Sequence, residues 1–417
     1  MTLLVLMGSG ETAPAMVRVH REVLQRTPVG PLIMLDTPFG FQDNADDLTA
    51  RTQTYFRDSI GADVGVASWR RSDQPVGEQE ATLAQIASAQ WIFAGPGSPT
   101  YALSQWANTA IPGSMLDLIR RGGTLVLGSA AAVTAGTLAL PVYEIYKVGT
   151  EPFWATGLDV LGAMTGIAAA VIPHYDNAEG GTYDTRFCYL GERRLVRLEA
   201  ELPEEAAVLG VDEHTAVIID GNTKLVEVTG IGALTVRRAG KSQIFASGTT
   251  MSISELADIV RGEMSGQLTG PGPATQDEIG WLSPDAQGQP SLDADVSRHR
   301  VDFDAALAAS DVDRCVAAVL ALESAIHDWS ADTLQSDAAD RGRRELRAMV
   351  VRLGELARVG ARDPRELVGP FVDGLLELRA RARSAKDFAT SDVVRDRLAA
   401  AGVEVRDTPE GVTWDLT

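Results

Sequence analysis

Short apolar runs alternate with amphipathic stretches along the first 250 residues, and this alternation limits the folds open to the chain. Each run is four or five residues long, the length of a buried strand. The runs are 3–7, 31–35, 64–67, 91–94, 124–128 and 169–172. The stretches with helical spacing are 17–24, 79–89, 102–107 and 115–120. This order predicts an α/β fold with a doubly wound, mostly parallel sheet.

The pattern changes twice further along the chain. Four apolar runs separated by Gly-rich turns predict antiparallel strands at 207–211, 215–219, 224–228 and 233–237. A stretch rich in Gly, Pro, Ser, Gln and Asp then predicts a linker, and helical periodicity follows almost to the end, with breaks near 360–364 and 369–370. We therefore expect an α/β domain at 1–261, a linker at 262–299 and a C-terminal helical bundle at 300–417.

Composition excludes several classes of protein. A net charge of −20 and a pI near 4.7 do not suit a general DNA or RNA binder, which needs a basic face. Two cysteines and five histidines without ligand spacing predict neither disulfides nor a metal site. The chain has no apolar run of about 18 residues and no leader-like start, so we expect a cytoplasmic protein that does not enter membranes.

Strand 124–128 runs into Gly-Ser-Ala-Ala-Ala, which places Ser129 at a turn from a strand into a short helix. Such a turn holds a serine hydroxyl exposed at the edge of the sheet, above a helix N-terminus that stabilises negative charge. Ser129 is therefore a candidate nucleophile. The alternative is that Ser129 only caps the helix, as serine commonly does.

Two later residues would complete a nucleophilic site. His174 directly follows the run 169–172, which would deliver it to the same sheet edge, and Glu144 stands between His174 and Ser129 in the chain. A serine nucleophile needs an imidazole within hydrogen-bond reach and an acid that fixes the tautomer of the imidazole. The alternative to a catalytic role is that His174 is an ordinary buried, hydrogen-bonded histidine and that Glu144 is a glutamate exposed to solvent.

Five features of residues 1 to about 250 carry a resemblance to a known family. They are Met-Gly-Ser-Gly-Glu at 7–11, Phe-Ala-Gly-Pro-Gly-Ser-Pro-Thr at 93–100, Ser-Ala-Ala-Ala at 129–132, the pair Glu144 and His174, and Gly-Val-Asp-Glu-His-Thr-Ala at 210–216. Together they resemble the dipeptidase E and cyanophycinase family of serine peptidases, whose fold is related to class I glutamine amidotransferases. The resemblance implies that fold, with Ser129 as nucleophile, His174 as base and Glu144 as acid.

The serine turn departs from the pattern of that family, which has glycine two residues before and two residues after the nucleophile. Leu127 and Ala131 occupy these places here. A shift of one residue would put Gly128 at the earlier place and Ala130 at the nucleophile, giving a catalytically silent relative. We prefer Ser129, because this register keeps Ser-Ala-x-Ala intact and places the acid 15 residues later.

Backbone N–H groups beside Ser129 would stabilise an oxyanion. The candidates are Ala130, which follows the nucleophile, and Gly95 and Gly97 in the loop after strand 91–94. The alternative for that loop is a plain turn at the end of a strand.

The loop after His174 is dense in polar and aromatic residues and is a candidate wall of the substrate site. Arg186 in this loop would hold a substrate carboxylate through its bidentate fork, or would pair with Asp184 or Glu192 for structure. The predicted substrate-binding residues are Arg186, Tyr175, Ser98 and Glu11.

The tail carries a second resemblance. The Lys-Asp-Phe-Ala segment, the Arg-Asp-Arg-Leu segment and the ending Asp-Thr-Pro-Glu-Gly-Val-Thr-Trp resemble the C-terminal helical region of cysteinyl-tRNA synthetase, over about 300–417 and most specifically over 378–414. The nucleotide-binding signatures and zinc cysteines of that enzyme are missing from this sequence. The resemblance therefore extends to the tail alone.

Four cations on one predicted helix of the tail are candidate contacts for tRNA or for a protein partner: Arg379, Arg381, Arg383 and Lys386. Cations at this density could follow a phosphate backbone. The alternative is a solvated face, since residues 301–417 hold 16 basic and 22 acidic residues, or −6. We favour a protein contact over tRNA.

These features predict a serine hydrolase that cleaves an amide bond in a small acidic peptide or a related amide, without a cofactor. The alternative is a silent relative that acts as a binding or regulatory module, in which the helical tail contacts tRNA or a protein. A homo-oligomer is compatible with either function.

Overall fold

The computed structural model describes residues 2–178, 183–263, 291–309, 311–329, 338–360, 364–408 and 411–416. The chain divides into two compact units. The first unit comprises Met1–Ser297 and Glu323–Arg343, and the second comprises Arg298–Leu322 and Arg344–Thr417.

The strands and helices of the described ranges are numbered in chain order. The strands are β1 (Leu3–Met7), β2 (Leu32–Leu35), β3 (Gly65–Val66), β4 (Trp91–Ala94), β5 (Thr124–Gly128), β6 (Leu138–Ala139), β7 (Ala155–Thr156), β8 (Ala169–Ile172), β9 (Ala207–Val211), β10 (Thr215–Asp220), β11 (Leu225–Gly230), β12 (Ala233–Arg238), β13 (Lys241–Ala246), β14 (Thr250–Ser252), β15 (Val403–Thr408) and β16 (Gly411–Leu416). The helices are α1 (Val17–Gln25), α2 (Ala45–Tyr55), α3 (Val76–Ser88), α4 (Pro99–Trp106), α5 (Ile111–Arg120), α6 (Ser129–Val133), α7 (Val160–Thr165), α8 (Glu192–Glu199), α9 (Ile253–Arg261), α10 (Leu292–Ala308), α11 (Val312–Asp328), α12 (Ala338–Gly360), α13 (Pro364–Ser384) and α14 (Phe388–Ala400).

The first unit is built on an eight-stranded sheet in the order β14-β11-β10-β1-β5-β4-β2-β3. The five strands from β1 to β3 in this order pair in parallel, and the other three pair antiparallel. Along β1, Leu4 and Leu6 pack into one core, while Leu3, Val5 and Met7 pack into the core on the opposite face. Helices cover both faces, so the predicted α/β class is confirmed.

A second sheet of six strands has the order β13-β12-β9-β8-β6-β7. Only β6, β8 and β9 pair in parallel in this sheet. Both sheets are therefore mixed. The parallel strands extend from β1 to the edge strand β3 in the first sheet and lie in the middle of the second. The four late strands predicted to be antiparallel form two antiparallel pairs, β10 with β11 in the first sheet and β9 with β12 in the second.

The second unit contains α13, α14 and the hairpin of β15 and β16, with the parts of α10, α11 and α12 that fall within its two ranges. Val372 of α13, Leu398 of α14 and Val403 of β15 form its small buried core. Pro370 lies inside α13, where the sequence predicted a break. Pro370 and Glu366 are both exposed, so solvent can hydrate the helix carbonyl that loses its donor at Pro370.

The division of the chain differs from the expected one in two respects. Residues 323–343, expected in the helical bundle, belong to the first unit, where Trp329 and Ala338 pack with Ala13 and Leu292. Residues 291–299 of the expected linker are described, and α10 begins there at Leu292. The remainder, 264–290, lies outside the described residues. None of the helices in the described ranges has the length and apolar character needed to span a bilayer.

Candidate active site

Three side chains meet where three strands end. Ser129 directly follows β5 of the first sheet. His174 follows β8 and Glu213 follows β9, and these two strands are parallel neighbours in the second sheet. The carboxyl ends of parallel strands lie at one edge of a sheet, which explains why His174 and Glu213 come together although they are distant in sequence.

Ser129 occupies a strained turn between β5 and α6. Its φ of +46° lies in the left-handed region, which a serine rarely adopts without a surrounding structure that enforces it. A Cβ atom on Gly128 would lie 3.2 Å from Cδ of Glu11, so the position before the serine has little room for a side chain. Leu127 is buried in the core with Leu4 and Leu6, which explains why no glycine is needed at that position. Ser129, not Ala130, therefore occupies the tip of the turn.

Ser129, His174 and Glu213 form a hydrogen-bonded chain. His174 Nδ1 lies 3.0 Å from Glu213 Oε1, and Ser129 Oγ lies 3.0 Å from His174 Nε2. An ionised carboxylate can only accept, so Nδ1 carries the hydrogen and Nε2 accepts from the serine hydroxyl. This is the relation that a serine nucleophile, its base and an orienting acid require.

Glu144 does not contact His174, which corrects the expectation that it orients the imidazole. Glu144 begins a π-helical turn, and its Oε2 accepts a hydrogen bond from Thr100 Oγ1 at 2.8 Å. Glu213 takes the place predicted for Glu144, because Glu213 follows a strand that is hydrogen-bonded to the strand before His174.

The pKa values of the pair are shifted in opposite directions. Burial is the largest influence on His174 and lowers its pKa, but the hydrogen bond and charge of Glu213, with the charges of Glu11 and Asp176, outweigh burial and hold the pKa above 6.5. Burial raises the pKa of Glu213, yet the hydrogen bond and charge of His174, with the hydrogen bond from Asn177, hold it below its usual value. Glu213 is thus ionised wherever His174 titrates.

A cavity of about 470 Å³ opens onto Ser129 and His174. This volume is in the range of sites for small molecules. Tyr143, Tyr146, Tyr183 and Tyr189 give it an aromatic wall, in which the rings of Tyr146 and Tyr189 stack 5.1 Å apart. Arg51 and Lys147 are the charged residues other than His174 among the described residues lining the cavity. Nowhere in the described ranges do three His, Cys, Asp or Glu side chains come together as a metal site.

Two of the three predicted oxyanion residues lie beside the nucleophile. Gly97 and Ala130 line a small cavity of about 40 Å³ together with Ser129 and His174. A Cβ atom on Gly97 would lie 2.0 Å from the Pro38 carbonyl oxygen, so this backbone requires glycine. Gly95 does not line this small cavity. Its carbonyl oxygen accepts a hydrogen bond from the N–H of Ala131 at 3.2 Å.

Ser98 and Glu11 have structural contacts instead of the substrate contacts expected for them. Ser98 caps α4, where its Oγ accepts from the N–H of Tyr101 at 3.1 Å. Glu11 is fully buried beneath the serine turn, and its carbonyl oxygen bonds to His20 Nε2. Neither residue lines the cavity.

Tyr175 and Arg186 also lie away from the cavity. Tyr175 is buried, and its ring packs on Phe187 with centroids 4.6 Å apart. Arg186 donates two hydrogen bonds to Asp184, both at 2.8 Å. The geometry therefore supports a structural role for Arg186, because its guanidinium group already binds the carboxylate of Asp184.

The four cations of the tail do not form one free basic face. Arg379 is buried and donates to both carboxylate oxygens of Asp407, at 2.8 and 2.7 Å. Arg383 also donates to Asp407, at 2.8 Å. Arg381 lies 3.8 Å from Glu377 with 78% of its side chain exposed, and Lys386 is exposed at the end of the helix.

Three functional candidates were missed by reasoning from sequence. Glu213 follows a buried strand within the Gly-Val-Asp-Glu segment, and this position is the signal that could have identified it as the acid. Arg51 lies in α2, a helix that was not among those predicted from the sequence. Lys147 lies in the same π-helical turn as Glu144, and nothing in its sequence context points to the cavity.

The tail matches the family model described as the cysteinyl-tRNA ligase anticodon binding domain, over residues 368–414. It is 62% identical over 45 residues to a cysteine--tRNA ligase of Nitratidesulfovibrio vulgaris strain DP4, which is 11% of this chain and 9% of that protein. It is 42% identical over 76 residues to the corresponding ligase of Brevibacillus brevis, 18% of this chain and 16% of that protein. The chain thus spans less than a fifth of the length of either relative.

Among solved structures, the chain is similar to a peptidase from an acI-B1 Actinobacterium. The two are 18% identical with a TM-score of 0.48, and the match covers 60% of this chain and 97% of that one.

Proposed function

We propose that the first unit is a serine hydrolase that cleaves an amide bond in a small acidic peptide or a related amide. The observation that carries the proposal is the chain of two 3.0 Å hydrogen bonds from Ser129 through His174 to Glu213, in which Ser129 and His174 line a cavity. The strained backbone at Ser129 supports the proposal further, because backbone strain of this kind is concentrated at functional sites.

The reaction begins when Ser129 Oγ attacks the substrate carbonyl carbon and His174 Nε2 takes the hydroxyl proton. The N–H groups of Gly97 and Ala130 stabilise the oxyanion of the tetrahedral intermediate. This intermediate collapses as the protonated His174 gives its proton to the departing amine, which leaves an acyl-enzyme on Ser129. Water then attacks the ester with His174 again as base, and releases the acid and the free serine.

Arg51 and Lys147 support an acidic substrate. These two residues bring positive charge to the lining of the cavity, whereas the protein as a whole has a net charge of −20. Within the described ranges, neither Arg51 nor Lys147 forms an ion pair with a carboxylate at 4.0 Å or less. A substrate carboxylate would pair with one of them while the scissile carbonyl lies at Ser129.

A panel of matched dipeptides tests the proposal. Peptides with an N-terminal Asp are compared with those with Asn, which has the same shape without the charge. We expect hydrolysis by the wild-type protein and none by Ser129→Ala, and we expect Arg51→Met with Lys147→Met to raise KM for the Asp peptides toward that for the Asn peptides. Equal cleavage by wild type and Ser129→Ala would contradict the hydrolase; equal KM for Asp and Asn peptides would contradict the acidic substrate.

A second candidate function concerns the tail, for which we propose contact with tRNA. The match of residues 368–414 to an anticodon-binding domain supports it. Of the four cations predicted to contact a partner, Arg379 and Arg383 pair with Asp407, which leaves the exposed Arg381 and Lys386 for phosphate contact. Leu367, Phe371, Leu375 and Leu378 are exposed along α13 at spacings of four and three residues, which supports a protein partner as the alternative.

Salt-dependent binding separates these two functions of the tail. If tRNA binds, its affinity falls with rising salt, and Arg381→Ala with Lys386→Ala flattens the slope of log K against log salt by nearly one unit for each phosphate that the variant no longer neutralises. No measurable tRNA binding at low salt, with a change of sedimentation mass caused by Phe371→Ser, would favour the protein partner instead.

A further inference from the structure

We propose that Asn177 is a positioning residue of the triad, which fixes the carboxylate of Glu213 in the orientation that holds His174. The inference rests on the proposed function and adds a residue to it. Asn177 is fully buried, and it lies three residues after His174 in the turn that follows β8.

Asn177 and His174 donate to the same oxygen atom. The distance from Asn177 Nδ2 to Glu213 Oε1 is 3.2 Å, and the distance from His174 Nδ1 to that oxygen is 3.0 Å. The carboxylate can only accept, so the amide must present its NH2 group and not its oxygen to Glu213. Two donors that converge on one oxygen restrict the rotation of the carboxylate.

The backbone of the turn fixes Asn177 relative to His174. The His174 carbonyl oxygen accepts from the N–H of Asn177 at 3.2 Å and from the N–H of Cys188 at 3.0 Å. His174 itself has a φ of +48°, so the turn is held in a conformation with little freedom. Movement of Asn177 would therefore move the base as well.

Asp176 holds the main chain of Glu213 while Asn177 holds its side chain. The N–H of Glu213 donates to Asp176 Oδ1 at 2.8 Å. The tetrapeptide His174–Asn177 thus supplies the base and binds the acid at two points. The loop of the acid and the loop of the base form one connected structure through these bonds.

The acid is a glutamate, and this makes a second donor on its carboxylate important. Glutamate has one more rotatable bond than aspartate, and each free torsion weakens the orientation of the imidazole that depends on it. Glu213 keeps 17% of its side chain exposed, so packing alone does not surround it. A donor from the turn of the base limits this freedom at the atom that contacts His174.

The rate of labelling by a fluorophosphonate probe tests the inference in the full chain. Asn177→Ala removes the donor, and Asn177→Asp keeps the shape but replaces the donor with a charge that repels Glu213. We expect both variants to label roughly 10- to 100-fold more slowly than wild type, the cost of misplacing a catalytic group by a fraction of an ångström to an ångström. Asn108→Asp, an exposed asparagine outside the site, is the matched control and should label as wild type does.

A double-mutant cycle distinguishes positioning from a general structural role. If Asn177 acts through Glu213, Asn177→Ala causes no further loss of labelling in a Glu213→Gln background. Independent, multiplicative losses would overturn the inference, as would Asn177→Ala labelling at the wild-type rate. Failure of the wild-type protein itself to label would instead contradict the proposed function.

A proton spectrum supplies a readout that does not depend on turnover. The Nδ1–H proton of His174 in a hydrogen bond to Glu213 should give a resonance far downfield in the wild type. Exchange should broaden this resonance in Asn177→Ala if the carboxylate is no longer held. A sharp, unshifted resonance in that variant would contradict the role assigned to Asn177.

Discussion

His174 and Glu213 are joined through Nδ1 and Oε1 at 3.0 Å, although 39 positions separate them in the chain. The register of two parallel strands explains this contact. Ile172 of β8 pairs with Gly210 of β9, so the chain continues from both strands at the same level of the sheet. His174 comes two residues after Ile172 and Glu213 three residues after Gly210, which places both side chains at the carboxyl edge near Ser129.

Replacing the acid tests the assignment of Glu213. We expect Glu213→Gln to lower the rate of amide hydrolysis by about 10²- to 10⁴-fold, because the imidazole loses the charge that selects its tautomer and stabilises its protonated form. Glu144→Gln is the matched control and should stay within about 3-fold of wild type, since Glu144 bonds Thr100 and not His174. The opposite ranking of the two variants, from kcat/KM, would show that Glu144 is the acid.

The pH dependence of the reaction follows from the raised pKa of His174. Only the neutral imidazole accepts the serine proton, so the rate rises with pH through the pKa of His174, and we expect a midpoint above 6.5. Removal of the Glu213 charge leaves burial as the main influence, which lowers the pKa, so the midpoint in Glu213→Gln should move to lower pH. A profile of kcat/KM against pH measures both. A midpoint that is unchanged or higher in Glu213→Gln would contradict the coupling.

The strand bounds and the position of Ser129 at a turn from a strand into a helix could be predicted from the sequence, whereas the choice of Glu213 over Glu144 as the partner of His174 also needs the strand order. The buried strands β1, β4, β5 and β8 have the bounds that their apolar runs predicted, because short fully buried strands need uninterrupted apolar residues. The acid depends on which strands pair across the second sheet, and hydrophobic periodicity contains no information on pairing. For the same reason the sequence does not reveal that the late strands divide between two sheets.

Trp329 is expected to stabilise the part of the first unit that contains His214, the residue after Glu213. Its indole packs edge-on against the His214 ring with centroids 5.8 Å apart, and its Nε1 donates to Asp295. We expect Trp329→Ala to lower the free energy of unfolding by about 3–5 kcal/mol, the usual cost of truncating a buried aromatic residue. Hydrogen exchange should become faster in residues 210–216.

Trp414→Ala is the matched control for that substitution, since Trp414 packs in the core of the second unit with Val372 and Val403. It should accelerate exchange in α13 and the hairpin of β15 and β16, and leave residues 210–216 as in wild type. Unchanged exchange at 210–216 in Trp329→Ala would place Trp329 in the helical bundle, as the sequence pattern predicts.

The ion pair of Arg379 with Asp407 is expected to stabilise the tail. The hydrogen bond from Arg379 holds the pKa of Asp407 well below its usual value, and the bond from Arg383 adds to this effect. The pair therefore stabilises the tail at neutral pH, and its contribution is lost in strong acid as Asp407 is protonated. We expect Asp407→Asn to cost about 1–2 kcal/mol, because it weakens two charged hydrogen bonds to a buried guanidinium.

Exchange rates of the α13 amides at pH 7 measure that destabilisation. Glu404→Gln, which changes an exposed carboxylate of β15 that pairs with Arg406 of the same strand, is a suitable comparison. Equal rates for wild type and Asp407→Asn would show that Arg379 is held by packing alone. The sequence could not predict this pair, because residues 28 positions apart meet only after the hairpin has folded against α13.

Identification of the residue that a fluorophosphonate probe modifies shows whether Ser129 is the nucleophile. The proposed function predicts one adduct, on the peptide that contains Ser129, which is absent from Ser129→Ala and forms much more slowly in His174→Ala. The folding of each variant is checked by its circular dichroism. An unlabelled Ser129 in the folded wild-type protein, or an adduct that persists at the same rate in Ser129→Ala, would contradict it.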